Sequence, residues 1–81
     1  MVDRIILSQN EEVKLDTTNN TITVVLIDEG NVEIKNENGI TFANLQNKFE
    51  MFTLSISTGV YTAKNLSAQD CNILIVREFI Y

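Results

Sequence analysis

The chain has 81 residues, a formal net charge of −5, one cysteine and neither histidine nor proline. This length allows one domain, residues 1–81, with one small core, and a single cysteine cannot form a disulfide within the chain. Six basic residues against 11 acidic ones argue against binding to nucleic acids or anionic membranes, because both need clustered Lys and Arg. A domain this small has a marginal core, so we expect it to associate with copies of itself or with a larger body.

Apolar and polar residues alternate along most of the chain, and this pattern predicts β-strands. No segment has a convincing helical period. The eight predicted strands are residues 4–7, 12–16, 21–27, 31–35, 40–45, 49–56, 60–64 and 71–81. Short strands at this spacing predict an all-β fold, a small antiparallel β-sandwich or jelly roll of about eight strands.

Segments rich in Asn and Gly separate several of these strands. They are residues 17–20, 28–31 and 36–39, and their residue types tolerate the positive φ angles of tight hairpin turns. In residues 40–45 the alternation changes phase at Ala43, which predicts a β-bulge or a turn into a loop.

Residues 51–63 are predicted to form a hairpin with Gly59 at its turn. Its apolar side chains would share one buried face: Phe52, Leu54, Ile56, Tyr61 and Ala63. An apolar alternation that leads into Gly-x-Tyr is similar to a pattern in small jelly-roll modules, namely the trimeric heads related to complement C1q and the receptor-binding or decoration modules of tailed bacteriophages. The matching residues are Phe52, Leu54, Gly59 and Tyr61, with Ile73 and Ile75 of the last strand. The resemblance implies a structural or interaction protein.

The sequence offers no set of residues for catalysis. No histidine can serve as a general base, and nothing marks two carboxylates as a pair in a cleft. We interpret residues 28–31 as a turn rather than a calcium loop, and Cys71 as a small core residue. We therefore expect no catalytic, cofactor-binding or metal site. Phe42, Phe52 and Tyr61 are interpreted as core residues rather than as a platform for sugars.

Two strands are apolar on both sides. In the last strand Cys71, Ile73 and Ile75 alternate with Leu74 and Val76, and residues 24–27 are continuously apolar. One side of a sandwich strand faces the core, so we expect the other side to meet another chain. The alternative is that a loop such as residues 45–50 covers it. The chain also ends on three large apolar residues, which we interpret as a docking arm. The predicted interface residues are Val25, Ile27, Leu74, Val76, Phe79, Ile80 and Tyr81.

These observations lead to one preferred function and two alternatives. We expect a non-enzymatic structural protein, a decoration or minor structural accessory of a bacteriophage particle, which is a homo-oligomer or a docked subunit. The apolar run near the N-terminus is too short for a signal peptide, so we expect synthesis in the host cytoplasm and residence in the virion. The alternatives are a small intracellular binding module, such as a phage-encoded inhibitor of a host protein, and a carbohydrate-binding adhesin domain. The identity of the partner and the strand order stay open.

Overall fold

Eight β-strands form the computed structural model, which describes residues 1–80, and no helix occurs within those residues. The prediction of an all-β chain of about eight short strands is therefore confirmed. The first strand begins two residues earlier than expected, at Val2. The strands are β1 (Val2–Leu7), β2 (Glu12–Asp16), β3 (Asn20–Leu26), β4 (Val32–Asn36), β5 (Thr41–Leu45), β6 (Met51–Leu54), β7 (Val60–Asn65) and β8 (Cys71–Phe79).

The strands form two four-stranded antiparallel sheets. One sheet has the order β1-β8-β3-β6, and the other has the order β2-β7-β4-β5. Most connections therefore carry the chain from one sheet to the other, and only β4 and β5 follow each other as neighbours within one sheet. Two packed antiparallel sheets with this connectivity make a jelly-roll sandwich.

The core lies between the two sheets. Every second residue of each central strand points inward, as the alternating burial of β3, β7 and β8 shows. The interpretation of Cys71 as a core residue is confirmed, because its side chain is fully buried. The buried apolar residues are Leu7, Leu15, Ile22, Leu26, Val24, Val32, Ile34, Leu45, Leu54, Tyr61, Ala63, Cys71, Ile73 and Ile75.

Two buried polar side chains join separate parts of the sandwich. The Thr17 hydroxyl accepts hydrogen bonds from the N–H groups of Thr58 and Gly59, each at 3.0 Å, and donates to the Gly59 carbonyl at 2.7 Å. The Asn65 amide, at the end of β7, donates to the carbonyl of Leu7 in the other sheet at 2.8 Å. Because these groups have partners, their burial does not leave an unpaired polar atom at either point.

The predicted hairpin over residues 51–63 is wrong. β6 pairs with β3, whereas β7 pairs with β2 and β4, so the turn between them crosses from one sheet to the other. Leu54 and Tyr61 are nevertheless buried in the shared core. Positive φ angles at Ser57 and Gly59 reverse the chain there. A reversal of this kind can join two sheets as well as two neighbouring strands, and the alternation pattern does not distinguish these cases.

The predicted bulge in β5 is confirmed. Ile34 is opposite Ala43, but Lys35 is opposite Thr41, so Phe42 is an extra residue in β5. The Phe42 side chain remains 46% exposed, and its interpretation as a core residue is wrong for that reason. Its ring packs edge-on against Tyr61 at a centroid distance of 5.3 Å.

Candidate protein-binding face

The outward side of the sheet β1-β8-β3-β6 is the strongest candidate site, and we call it the apolar face. Residues opposite each other in antiparallel strands share one side of the sheet. Leu74 on β8 is opposite Arg4 on β1 and Val25 on β3, and Val25 is opposite Met51 on β6. The strand register places the following residues on the apolar face: Val2, Arg4, Ile6, Thr21, Thr23, Val25, Ile27, Met51, Thr53, Asn72, Leu74, Val76 and Glu78.

The structure brings four of the predicted interface residues together on this face. Val25 and Leu74 are directly paired, Val76 lies one row further along β8, and the N–H of Ile27 donates to the carbonyl of Asn72 at 3.0 Å. All four side chains are half-buried, because β8 and β3 are the central strands and neighbouring side chains flank them.

The edge strands extend the apolar face with side chains that the sequence analysis did not select. Val2 and Ile6 on β1 are 61% and 57% exposed, and Met51 on β6 is 60% exposed. In the sequence, the only sign of the β1 residues is that Val2, Arg4 and Ile6 lie on one side of the strand. This side can be assigned to the apolar face only once β1 is known to lie beside β8.

Phe79 and Ile80 do not form a free docking arm. The N–H of Ile80 donates to the carbonyl of Asn19 at 2.9 Å, and Phe79 is opposite Asn20, so these two residues continue alongside the start of β3. Strand alternation places Ile80 on the same side as Val76 and Phe79 on the opposite side, and both side chains are exposed. Tyr81, the third predicted residue of the arm, lies outside the described residues.

Phe49 is an exposed aromatic residue in a strained backbone at the edge of this sheet. The N–H of Glu50 donates to the carbonyl of Asn47 at 3.0 Å, which closes a turn, and Phe49 has a φ of 65° within it. A positive φ at this position of a turn favours glycine, and for other residues it costs about 1–2 kcal/mol. The ring is 61% exposed, with the Lys48 Nζ 5.2 Å from its centroid. Burial within the chain therefore does not offset the strain.

The loop that contains Phe49 runs along the sheet edge. The N–H of Phe49 donates to the carbonyl of Leu26 at 2.6 Å, and the N–H of Leu26 donates to the carbonyl of Glu50 at 2.9 Å. These bonds fix residues 46–50 beside the end of β3. Met51, which follows directly, is exposed on the apolar face.

Polar side chains are interspersed among the aliphatic ones on the apolar face, and most of them pair with one another or with a neighbour. Arg4 Nη2 donates to Asn72 Oδ1 at 3.4 Å, and Asn72 Nδ2 donates to Asp28 Oδ2 at 3.2 Å. The hydroxyl groups of Thr23 and Thr53 lie 2.9 Å apart on paired positions of β3 and β6. Among the residues that the register places on this face, one base, Arg4, stands against one acid, Glu78.

The outward side of the sheet β2-β7-β4-β5, which we call the polar face, has a different composition. Its register places Lys64 between Glu12 and Glu33, and Thr62 between Lys14 and Lys35. Lys35 Nζ lies 3.2 Å from a carboxylate oxygen of Glu33. Alternating opposite charges on neighbouring strands suit a surface that stays in water. The residues placed on the polar face are Glu12, Lys14, Asp16, Glu33, Lys35, Thr41, Asn44, Val60, Thr62 and Lys64.

Two of the cavities in the described part of the chain differ clearly in their lining. A cavity of about 540 Å³ is lined by loop residues of mostly polar character, including Glu29, Gln46 and Gln69. An aromatic cleft of about 200 Å³ is lined by Phe42, Phe52 and other residues, Tyr61 among them. The Tyr61 hydroxyl donates to the Thr58 hydroxyl at 3.0 Å, and the Thr58 hydroxyl donates to the carbonyl of Ser55 at 2.7 Å. The hydroxyl protons of Tyr61 and Thr58 are thus used within the chain.

Two carboxylates, those of Asp16 and Glu50, stabilise turns. The pKa of Asp16 is lowered by hydrogen bonds from the backbone N–H and the hydroxyl of Thr18, at 2.9 and 2.7 Å. The pKa of Glu50 is lowered by hydrogen bonds from the backbone N–H groups of Gln46 and Asn47, at 2.9 and 3.1 Å. In each case the donors favour the ionised form of the carboxylate.

Within residues 1–80, no three His, Cys, Asp or Glu side chains form a group that could hold a metal ion. The same part of the chain contains no helix that is long and apolar enough to cross a membrane. The one thiol, Cys71, is fully buried and lies 3.1 Å from Asn65 Oδ1 in donating geometry.

Comparison with known proteins identifies the fold. No protein-family model matches the chain, and no curated protein matches its sequence significantly. A de novo designed double-stranded β-helix solved by NMR has a TM-score of 0.77 at 17% identity, with 96% of this chain and 99% of that chain covered. The cupin domain of Schizosaccharomyces pombe Cnp3 has a TM-score of 0.76 at 16% identity, with 98% of this chain and 55% of that chain covered. Identities this low establish the fold alone, and the chain is therefore similar in architecture to the double-stranded β-helix and cupin structures, a jelly-roll form of the β-sandwich.

Proposed function

We propose that this protein is a non-enzymatic assembly module that binds another protein chain through its apolar face. Its contact residues are the outward side chains of the two central strands, Val25, Ile27, Leu74 and Val76, with Val2, Ile6 and Met51 on the edge strands. The double-stranded β-helix acts as a rigid support for this surface.

The observation that carries the proposal is the contrast between the two outward faces. The polar face alternates lysines with carboxylates, as a sheet surface in water does. The apolar face presents three aliphatic side chains that are more than half exposed, Val2, Ile6 and Met51, beside a half-buried aliphatic centre. A contiguous apolar patch with a polar rim is typical of a protein–protein interaction site.

Phe49 supports the proposal independently. A large aromatic ring in a positive-φ turn lowers the stability of the free chain, and the ring gains little burial in return. Aromatic residues are enriched at protein interfaces, where they bury large apolar areas. A partner that covers this edge of the sheet supplies the missing burial.

The setting that we propose is an accessory role in a bacteriophage particle. It is supported by the resemblance of Phe52, Leu54, Gly59 and Tyr61 to phage jelly-roll modules. These residues lie in two sheets rather than in one hairpin, so the proposal depends mainly on the apolar face. The alternative, an inhibitor of a host protein, would use the acidic turns as its contact surface, so the position of the crosslink and the identity of the captured partner separate the two settings.

Site-specific photo-crosslinking in the cells that make the protein tests the proposal. A photoreactive phenylalanine analogue replaces Leu74 on the apolar face or, as the matched control, Thr62 on the polar face. Both positions lie on central strands and are half-buried. We expect a protein adduct from position 74 and none from position 62. Equal yields at both positions, or no protein adduct at position 74, would overturn the proposal.

A further inference from the structure

We propose that the partner on the apolar face is a second copy of this chain, which forms a two-fold symmetric dimer by packing apolar face against apolar face. This inference rests on the proposed function, because it names the occupant of the same surface. Three properties of the face select this partner: its charge balance, its register and its size.

The charge balance of the apolar face permits self-association despite the net charge of −5. The face carries Arg4 and Glu78 as its only charged residues in the register of its strands. A strongly basic partner could pair with only one carboxylate in the strand register of this face, and a strongly acidic partner with only one guanidinium. The complementary partner surface is therefore apolar with one charge of each sign, and the apolar face itself has that composition in its strand register. Seven of the remaining acids lie in loops or near strand ends, and one of them, Asp28, borders the apolar face through its hydrogen bond from Asn72. The seven are Asp3, Glu11, Asp28, Glu29, Glu37, Glu50 and Asp70.

The strand register makes the apolar face complementary to itself. A two-fold axis parallel to the strands, between β8 and β3, sets each row of side chains over the same row of the other copy. Leu74 of one copy then lies over Val25 of the other, and Val76 lies over Thr23. The edge strands meet as well, with β1 over β6, so that the aliphatic part of Arg4 covers Met51.

The area that a dimer needs is available on a broad face of this molecule. A stable specific interface buries about 800 Å² per partner. The surface of the chain is 4866 Å², of which this area is roughly one sixth. The apolar face spans all four strands of its sheet, whereas most of the acids lie in the loops that join the strands.

Sedimentation equilibrium of the purified chain over a range of concentrations tests the inference. We expect a species of about twice the 9.2 kDa chain mass. Leu74→Glu places a carboxylate at the centre of the contact and should weaken dimerisation about a hundredfold or more. The matched control, Thr62→Glu, places the same group between Lys14 and Lys35 on the polar face and should leave the dimer unchanged. Circular dichroism confirms that each variant is folded, and the milder Leu74→Thr replaces Leu74→Glu if the latter unfolds.

Salt gives a second readout. Two chains of net charge −5 repel each other at their rims, so raising the salt concentration should tighten a homodimer, whereas it would weaken a contact with a basic partner. A wild-type chain that stays monomeric at high concentration, or a dimer that survives Leu74→Glu but not Thr62→Glu, would overturn the second-copy inference. If a different protein is crosslinked at position 74 while the purified chain is monomeric, the inference fails and the proposed function stands. If no protein adduct forms, the proposed function fails.

Discussion

The polar and apolar faces are built on sheets of four strands each with the same antiparallel geometry, yet their central strands differ in composition. On the polar face, the middle strand β7 contributes Thr62 and Lys64, and oppositely charged neighbours surround the lysine. On the apolar face, β8 contributes Leu74 and Val76, and their neighbours include Val25 and Val2. Formation of the core requires only that the inward side chains be apolar. It therefore does not explain why Leu74 and Val76, on the outward side of β8, are apolar as well.

This difference separates the residues that stabilise the sandwich from those available for binding. In β8, Ile73 and Ile75 are buried between the sheets, whereas Leu74 and Val76 lie on the other side of the same strand. The inward set has a sufficient explanation in the core. The outward set is what the proposed contact with a second chain would use, and the predictions below therefore compare neighbouring positions with opposite orientations.

Ile73→Ala and Leu74→Ala should differ most in their effect on the isolated chain. Ile73 is fully buried, so its truncation leaves a cavity and should lower the free energy of unfolding by about 2–5 kcal/mol. Leu74 is half-buried on the apolar face, and its truncation should cost less than about 1.5 kcal/mol in a monomer. Urea denaturation at low protein concentration measures both values. Comparable losses from the two variants would show that Leu74 belongs to the core of its own chain.

Phe49→Gly should stabilise the free chain while it weakens assembly. Glycine adopts the φ of 65° at position 49 without steric cost, so the free energy of unfolding should rise by up to about 1 kcal/mol. The loss of the exposed ring should reduce the yield of the position 74 adduct. The matched control is Asn19→Gly, since Asn19 has a φ of 59° and asparagine tolerates that conformation. A larger gain from Asn19→Gly than from Phe49→Gly would argue against strain at Phe49.

The all-β fold class, the number of strands and the inward residues could be predicted because alternation in sequence is alternation in space. Alternation places Cys71, Ile73 and Ile75 in the core. The change of phase at Ala43 predicts the bulge in β5, although it does not indicate that Phe42 is the extra residue. Strand pairing could not be predicted, because a turn that crosses between sheets has the same Asn and Gly residues as a hairpin.

The same limit applies to the candidate site. The central positions Val25 and Leu74 could be selected because their strands are apolar on both sides. The edge positions Val2, Ile6 and Met51 could not be assigned to that face before β1 and β6 were known to flank the central strands. Phe49 escaped selection because its unusual φ is a property of the turn geometry and leaves no pattern in the sequence.

Lys64→Glu probes the electrostatics of the polar face and should have a smaller effect. The new carboxylate would lie between Glu12 and Glu33 on the neighbouring strands. Like charges directly opposite each other are destabilising by roughly 0.2–1 kcal/mol. Thermal denaturation should show this loss at low salt and a smaller one at high salt, because exposed charges are screened. Thr62→Glu, with lysines on both sides, is the opposite-sign control. Equal destabilisation by both substitutions would mean that charge does not organise this face.

The smallest expected effect is the loss of stability in acid caused by protonation of Asp16 and Glu50. Asp16 ends β2, in the sheet with the polar face, and Glu50 precedes β6, in the sheet with the apolar face. In the folded chain the pKa of each carboxyl is lowered by hydrogen bonds from its turn. A lowered folded-state pKa means that the stabilisation is complete above the ordinary values of 3.8 and 4.5, and that it is lost as pH falls through the folded-state values below them. Asp16→Asn and Glu50→Gln should each reduce stability at neutral pH and flatten its decline in acid, as followed by urea denaturation across that pH range. If neither substitution changes how the free energy of unfolding falls in acid, other carboxylates cause that fall. The hydrogen bonds of Asp16 and Glu50 would then contribute equally little to the stability of the two sheets.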